Sequence, residues 1–149
     1  MEALISALRV LQADLFIYYT KAHGYHWNVE GMLFEQFHGM FSDIYNDAWS
    51  SIDEYAEWIR IFGQYATFDV ATALETSNVK YDLGISNDPL AMLKSLLLSN
   101  DVIISDLKTS FNVATGANEQ GAADFIAGRI SAHEKWRWKI TSTLKTMGA

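Results

Sequence analysis

No cysteine occurs among these 149 residues. That absence removes disulfides, thiolate nucleophiles and sulfur-ligated metals, so a metal must be held by histidine, carboxylate or weaker oxygen donors, a set that favours iron, manganese or zinc. Proline is almost as scarce, with Pro89 standing alone, and little therefore interrupts a long helix. Basic residues are outnumbered, 11 against 18 acidic ones, for a net charge of -7. Such a balance repels DNA phosphates and anionic membranes and concentrates cations; ordinary solubility is the competing reading of the same charge. No apolar run approaches the roughly 20 residues of a membrane span. The opening MEALISALRV carries an acid at position 2 in place of a basic leader, so the expectation is a cytoplasmic protein. A G-x-S-x-G elbow, a P-loop, G-x-G-x-x-G and H-E-x-x-H are all missing. The Glu-x-x-His motif of larger di-iron bundles is also expected to be absent, since neither Glu30 nor Glu134 has a histidine three residues on.

What is present is hydrophobic and helical. Half of the residues are hydrophobic, enough for one core and one domain over residues 1–149 without staples. Leu4, Leu8, Leu11, Leu15, Tyr18, Ala22 and Tyr25 follow alternating steps of four and three, which predicts a first helix from about Ala3 to Asn28. Glu30-Gly31 breaks it. A second stripe runs through Phe34, Phe37, Phe41, Ile44, Ala48, Ile52, Tyr55, Ile59 and Phe62 until Gly63. Residues 63–88 are polar apart from the cluster Phe68 to Leu74, which predicts a crossover carrying a short helix. Asp88-Pro89 reads as an N-cap followed by proline at the first helical position. The third helix is expected through Leu90, Leu93, Leu97, Ile104, Leu107 and Phe111 to Thr115-Gly116. The fourth is expected through Phe125, Ile126, Ile130, Trp136, Ile140, Leu144 and Met147. The sum is an all-α, ferritin-like four-helix bundle with one crossover.

Outside its apolar stripe the second helix carries His38, Asp53 and Glu57. At about 100° per residue they fall within an arc of roughly 100°. Fifteen residues separate His38 from Asp53, roughly 22 Å along the axis, so one helix cannot close a site around one ion. Pairing this helix antiparallel with its own copy, about a two-fold axis near residues 47 and 48, sets His38 opposite the mate's Glu57 and position 42 opposite its Asp53. The Asp53 and Glu57 carboxylates, one turn apart, then project together toward one or two divalent cations. A solvated acidic face is the alternative. Tyr45 and Trp49 lie on the same face, as interface aromatics or as members of a wider core. His26, at the end of the first helix, sits within reach of His38 across the hairpin, or serves as an ordinary structural histidine. Trp27, Trp58, Trp136 and Trp138 pack by default, and near an oxidising centre such rings also quench radicals.

The segment His26-Trp27-Asn28-Val29-Glu30-Gly31, followed by Phe34, His38, Asp53, Ala56 and Glu57, resembles the signature of the Dps family of mini-ferritins. The likeness continues upstream through Lys21-Ala22-His23-Gly24-Tyr25 and downstream to Ala122-Ala123-Asp124, His133-Glu134-Lys135 and Trp138, so it spans most of the chain. It implies a dodecameric hollow shell built from two-fold dimers. Such a shell binds ferrous iron, oxidises it with hydrogen peroxide or oxygen, and stores the ferric mineral as protection against oxidative damage. His26 and His38 of one subunit would be the ligands and ferroxidase residues facing Asp53 and Glu57 of the mate. They would hold two iron ions or one, with zinc or manganese as surrogates.

Departures from the family pattern qualify those expectations. Ser42 stands where the family places a further acid, one turn after His38, and a hydroxyl is a far weaker ligand. Asp43 points about 100° away from that position. A catalytically weak iron-binding or structural shell is therefore the alternative. Trp58 replaces the arginine usual after the ligand glutamate. Asp124 matches an acid of the three-fold pore that admits iron, while Gln120 replaces another and Glu119 adjoins it, so the pore is expected to be less acidic than usual. Family members that condense DNA use a basic terminal tail. Here no basic residue precedes Arg9 and Lys145 is the last, so strong DNA binding is not expected.

Overall fold

A computed structural model describes residues 1–84 and 87–146. Among these the chain forms α1 (Glu2–Asn28), α2 (Phe34–Ile61), α3 (Val70–Thr76), α4 (Pro89–Gly116) and α5 (Gln120–Thr146), with no strand. Four long helices and a short one in the crossover are the architecture the periodicity predicts. Met147, expected on the last stripe, lies outside the described residues.

Local chemistry sets the helix ends. Asp88 Oδ1 accepts the Leu90 amide at 3.1 Å ahead of Pro89, and Asp69 Oδ1 accepts the Thr72 amide at 2.9 Å to start α3. At the end of α2, Gly63 takes φ +81°, so that its own amide and that of Gln64 turn back onto the Arg60 and Ile59 carbonyls. The same closure ends α4 at Gly116, as expected, but there the left-handed residue is Asn118 at φ +59°, two residues beyond the helix.

The hairpins α1–α2 and α4–α5 pack through α1 against α4. The expected stripe of α1 is buried throughout, as are Phe37, Phe41, Ile44, Ala48, Tyr55 and Ile59 of α2. Each buried leucine, isoleucine or phenylalanine among them contributes on the order of 1.5–3 kcal/mol by leaving water. The α4 stripe is met at Leu93, Ile104 and Leu107, all buried, and differs from expectation elsewhere. Its buried face is Leu93, Leu96, Asn100, Ile103, Leu107, Ser110 and Ala114, whereas Leu90, Leu97 and Phe111 are only partly buried. The spacing is again three and four, but two of its positions are polar.

Asn100 is buried because it has a partner in the bundle centre. Its Nδ2 donates to the His133 carbonyl at 2.9 Å, and its Oδ1 meets His133 Nδ1 at 2.7 Å. One turn earlier on α5, Arg129 grips Asp47 of α2 with both terminal nitrogens at 2.9 and 2.8 Å, and Trp136 Nε1 adds a third bond to Asp47 at 3.0 Å. Burial works against the Asp47 carboxylate, but the Arg129 guanidinium and Trp136 hold it below the ordinary carboxylate range. Burial, then Arg129, depress His133 to about 3. Beside the buried Asn100–His133 pair the bundle thus carries a half-buried bidentate ion pair whose guanidinium repels cations.

Helix α1 also lays down the crossover. Arg9 donates to the Tyr65 carbonyl at 3.1 Å, Gln12 to that of Thr67 at 3.0 Å and Lys21 to that of Lys80 at 3.1 Å. Asp14 Oδ1 accepts from Ser77 Oγ at 2.8 Å and the Asn78 amide at 2.7 Å, and Tyr25 donates to Asp82. Beyond α1, the Glu30 amide reaches the Asn87 carbonyl at 3.1 Å. The order of partners shows the crossover running beside α1 from one end of the bundle to the other. It also explains why Gln12, Asp14 and Lys21 are buried: each satisfies backbone that has left regular structure. No helix among the described residues is long and apolar enough to cross a membrane.

Candidate metal centre on the α1–α2 face

Where α1 ends and α2 begins, two histidines lock one another. His26 Nδ1 lies 2.7 Å from the His38 carbonyl oxygen, and His38 Nδ1 lies 2.8 Å from that of His26. The His26 carbonyl is free for this because the Glu30 amide, which would bond it in a continuing helix, goes to Asn87 instead. A carbonyl only accepts, so each ring donates from Nδ1, and in the neutral imidazole the lone pair is left at Nε2. This is the hydrogen-bonding pattern that orients metal-binding histidines.

Packing fixes the planes as well. The two rings stack with centroids 3.7 Å apart and planes 16° apart. Phe34 stacks on the far side of His38 at 4.8 Å, and Tyr45 meets His26 edge-on at 5.2 Å. Planes so nearly parallel do not intersect within a metal–nitrogen bond of about 2 Å. The two Nε2 lone pairs cannot converge on one ion in this arrangement.

The carboxylates are elsewhere in the chain. Asp53 and Glu57 lie on α2, both exposed and unpaired among the described residues. The fifteen helical residues from His38 to Asp53 keep them roughly 22 Å apart along the axis. One chain therefore brings His26 and His38 together and does not bring Asp53 and Glu57 to them. Accordingly, no group of three or more histidine or acidic side chains among the described residues is placed to hold a metal.

Ser42 is half-buried, one turn beyond His38, and Asn46 Nδ2 contacts its carbonyl at 2.9 Å and its Oγ at 3.4 Å. Asp43 lines a groove with Gln36, Met40, Trp136 and Lys139 of the α2–α5 side, round the helix from the histidines. Trp58, in the place of the family's arginine, packs so closely over α5 that a Cβ at Gly121 would lie 2.8 Å from its ring. Nearby on α5, Asp124 is exposed and Glu119 half-buried just before the first turn. The expected absence of a Glu-x-x-His pair does not hold. Glu35 stands three residues before His38, in the very Glu-x-x-His spacing that Glu30 and Glu134 lack, and it is exposed at the start of α2.

Residues 5–148 match the ferritin-like domain family, and the chain belongs to that family. Within it, the chain is a Dps-like mini-ferritin. It is 25% identical over 143 residues to DNA protection during starvation protein 2 of Bacillus anthracis, covering 96% of this chain and 97% of that one. Its fold superposes with a TM-score of 0.92 on the crystal structure of a Dps protein from Vibrio cholerae, described as a member of a broad superfamily of ferritin-like diiron-carboxylate proteins. That pair is 25% identical, and the match covers 96% of this chain and 89% of that one. Dps from Staphylococcus aureus, 27% identical, superposes equally well at 0.92, with 97% and 96% covered.

Proposed function

We propose that this chain binds ferrous iron at sites shared between two copies, oxidises it with hydrogen peroxide or oxygen, and stores the ferric product inside an oligomeric shell. The observation that carries this reading is the reciprocal His26–His38 lock, which holds two imidazoles ready with both Nε2 atoms unused. Iron is the substrate here. His26 and His38 of one copy supply nitrogen, while Asp53 and Glu57 of the mate supply the charge that neutralises it.

Two further features support a mate on this face. The two-fold axis that sets His38 opposite Glu57 also sets position 42 opposite Asp53. Beside that axis Trp49 is 58% exposed, at the rim of a cavity of about 350 Å³ lined by Phe16, Ile52, Phe68 and Ala73 of α1, α2 and the crossover. Exposed apolar surface of this kind is characteristic of an interface. Twelve subunits, a pore lined by Asp124 and Glu119, and the absence of DNA binding belong to the same reading.

Its test is Fe(II) with peroxide, followed by ferric absorbance in the purified assembly. Oxidation well above the buffer rate is expected, and it should vanish in Asp53→Ala/Glu57→Ala. Oxidation no faster than buffer, or unaffected by that double substitution, refutes the proposal. A slower, iron-binding shell is the second reading, favoured by the single observation that Ser42 brings no carboxylate beside His38.

A further inference from the structure

Next to the locked histidines, Tyr19 and His23 form a second pair. Tyr19 Oη lies 2.8 Å from His23 Nδ1, one turn further along α1. His23 stacks on Tyr45 with centroids 3.9 Å apart and planes 16° apart, and Trp27 covers it at 4.0 Å. The Tyr19 ring lies 6.1 Å from that of Tyr45, which in turn lies 5.2 Å from His26. On its other side Tyr19 meets Trp49 at 5.0 Å. Oxidisable rings therefore run without a gap from the candidate iron site to a phenol that touches a base.

The base decides what that phenol can do. A phenol that loses an electron becomes strongly acidic, and in a partly buried setting oxidation is feasible only if the proton has an acceptor within hydrogen-bond reach, about 2.6–3.2 Å. Tyr19 meets this condition with His23 in the tautomer that carries its proton on Nε2 and leaves Nδ1 to accept. Tyr18, its neighbour in sequence, does not, because its hydroxyl is buried without a partner. Tyr25 has a carboxylate, Asp82, but it faces the crossover and not the histidines.

Peroxide needs two electrons, and a site with Ser42 in place of an acid is short of charge for a second ferrous ion. We propose that Tyr19 and His23 act as a redox pair that supplies the second electron when one ferrous ion is bound, an inference that rests on the ferroxidase reading. Hydrogen peroxide takes one electron from Fe(II) and one from Tyr19 by way of Tyr45. With two protons from solvent its O–O bond breaks and two waters form. The phenolic proton passes to His23 Nδ1, leaving Fe(III), a Tyr19 phenoxyl radical and a protonated His23. A second Fe(II) then reduces the radical to phenol, His23 returns the proton, and two ferrous ions have been oxidised per peroxide.

The pair is tested first without iron, in the intact assembly, by flash oxidation with a photo-excited ruthenium tris-bipyridyl complex while the tyrosyl absorption is followed. Wild type should form a tyrosyl radical that Tyr19→Phe lacks. His23→Phe, which keeps the stack on Tyr45 but removes the nitrogen, should form it about a hundredfold more slowly, the scale of one positioned proton acceptor. Equal yields in Tyr19→Phe, or equal rates in His23→Phe, overturn the pair. In the second arm one Fe(II) per subunit is mixed with peroxide and freeze-quenched for electron paramagnetic resonance. A tyrosyl signal absent from Tyr19→Phe is expected. Iron oxidised with no such signal overturns the proposal and spares the ferroxidase reading. Iron not oxidised at all overturns that reading, and the role of the pair with it.

Discussion

His26 and His38 each donate from Nδ1 to the other's backbone carbonyl, at 2.7 and 2.8 Å, so each ring keeps its hydrogen-bond acceptor when the other side chain is removed, and only the stack at 3.7 Å couples the two rings. Metal affinity should therefore be lost ligand by ligand. With Zn(II) as a redox-silent probe, His26→Ala and His38→Ala are each expected to lose the affinity of the removed ligand while the remaining ring keeps its Nδ1 bond. Calorimetric titration of both single variants and the double should give a cycle additive to within the coupling of one ring stack, about 0.5–1.5 kcal/mol. A much larger coupling would show that neither ring is placed without the other.

The separation of the histidines from Asp53 and Glu57 leads to a complementation test. A chain with His26→Ala/His38→Ala and a chain with Asp53→Asn/Glu57→Gln should each be inactive alone. Unfolded together and reassembled, half of the dimers are mixed, and in each of these one of two sites has both halves intact. Activity should thus return to about a quarter of wild type. Mixed assemblies that stay inactive would place the site within one chain.

How far these relationships were legible in the sequence depends on their range. The α1 stripe was plain because its positions are all apolar. The α4 stripe was misjudged because Asn100 and Ser110 occupy core positions, and only His133 on another helix makes Asn100 affordable there. The histidines could be selected by type and spacing. Their mutual lock could not, since it depends on two main-chain carbonyls brought together by the α1–α2 hairpin. The path of the crossover was equally hidden. Gln12, Asp14 and Lys21 lie off the apolar stripe, and nothing in the local pattern shows that they bind backbone more than fifty residues away. Glu35 is legible from its spacing to His38 alone.

Ser42 offers a gain-of-function experiment. Its hydroxyl serves only as a distant acceptor for Asn46 at 3.4 Å, and its place on the helix is one turn beyond His38, so a carboxylate there costs little packing. Ser42→Asp should strengthen cation binding on the His38 side and raise the rate of Fe(II) oxidation by about tenfold or more, comparable to the gain from completing a metal shell. Stopped-flow kinetics at limiting iron would measure it. A rate unchanged from wild type would mean that the missing acid is not what limits the site.

Stability should respond to pH through Asp14, which ties the crossover to α1. Burial, then the neighbouring Asp106, push Asp14 up to about 7 from an ordinary 3.8. The folded state then holds a proton that the unfolded chain has released, so the stabilising contribution is complete below about pH 4 and is lost as pH rises through 7. The slope should reach at most about 1.4 kcal/mol per pH unit. His133 acts in the opposite sense. Held down to about 3 from 6.5, it contributes stability above about pH 6.5 that is lost as pH falls toward 3. Urea unfolding between pH 4 and 8 separates them. Asp14→Asn retains a carbonyl for the Ser77 and Asn78 donors and removes the charge, so this variant should lose the decline toward pH 8 and keep the acid-side loss. His133→Gln should show the reverse. An Asp14→Asn variant that declines as steeply as wild type between pH 5 and 8 would show that Asp14 is already ionised in the fold.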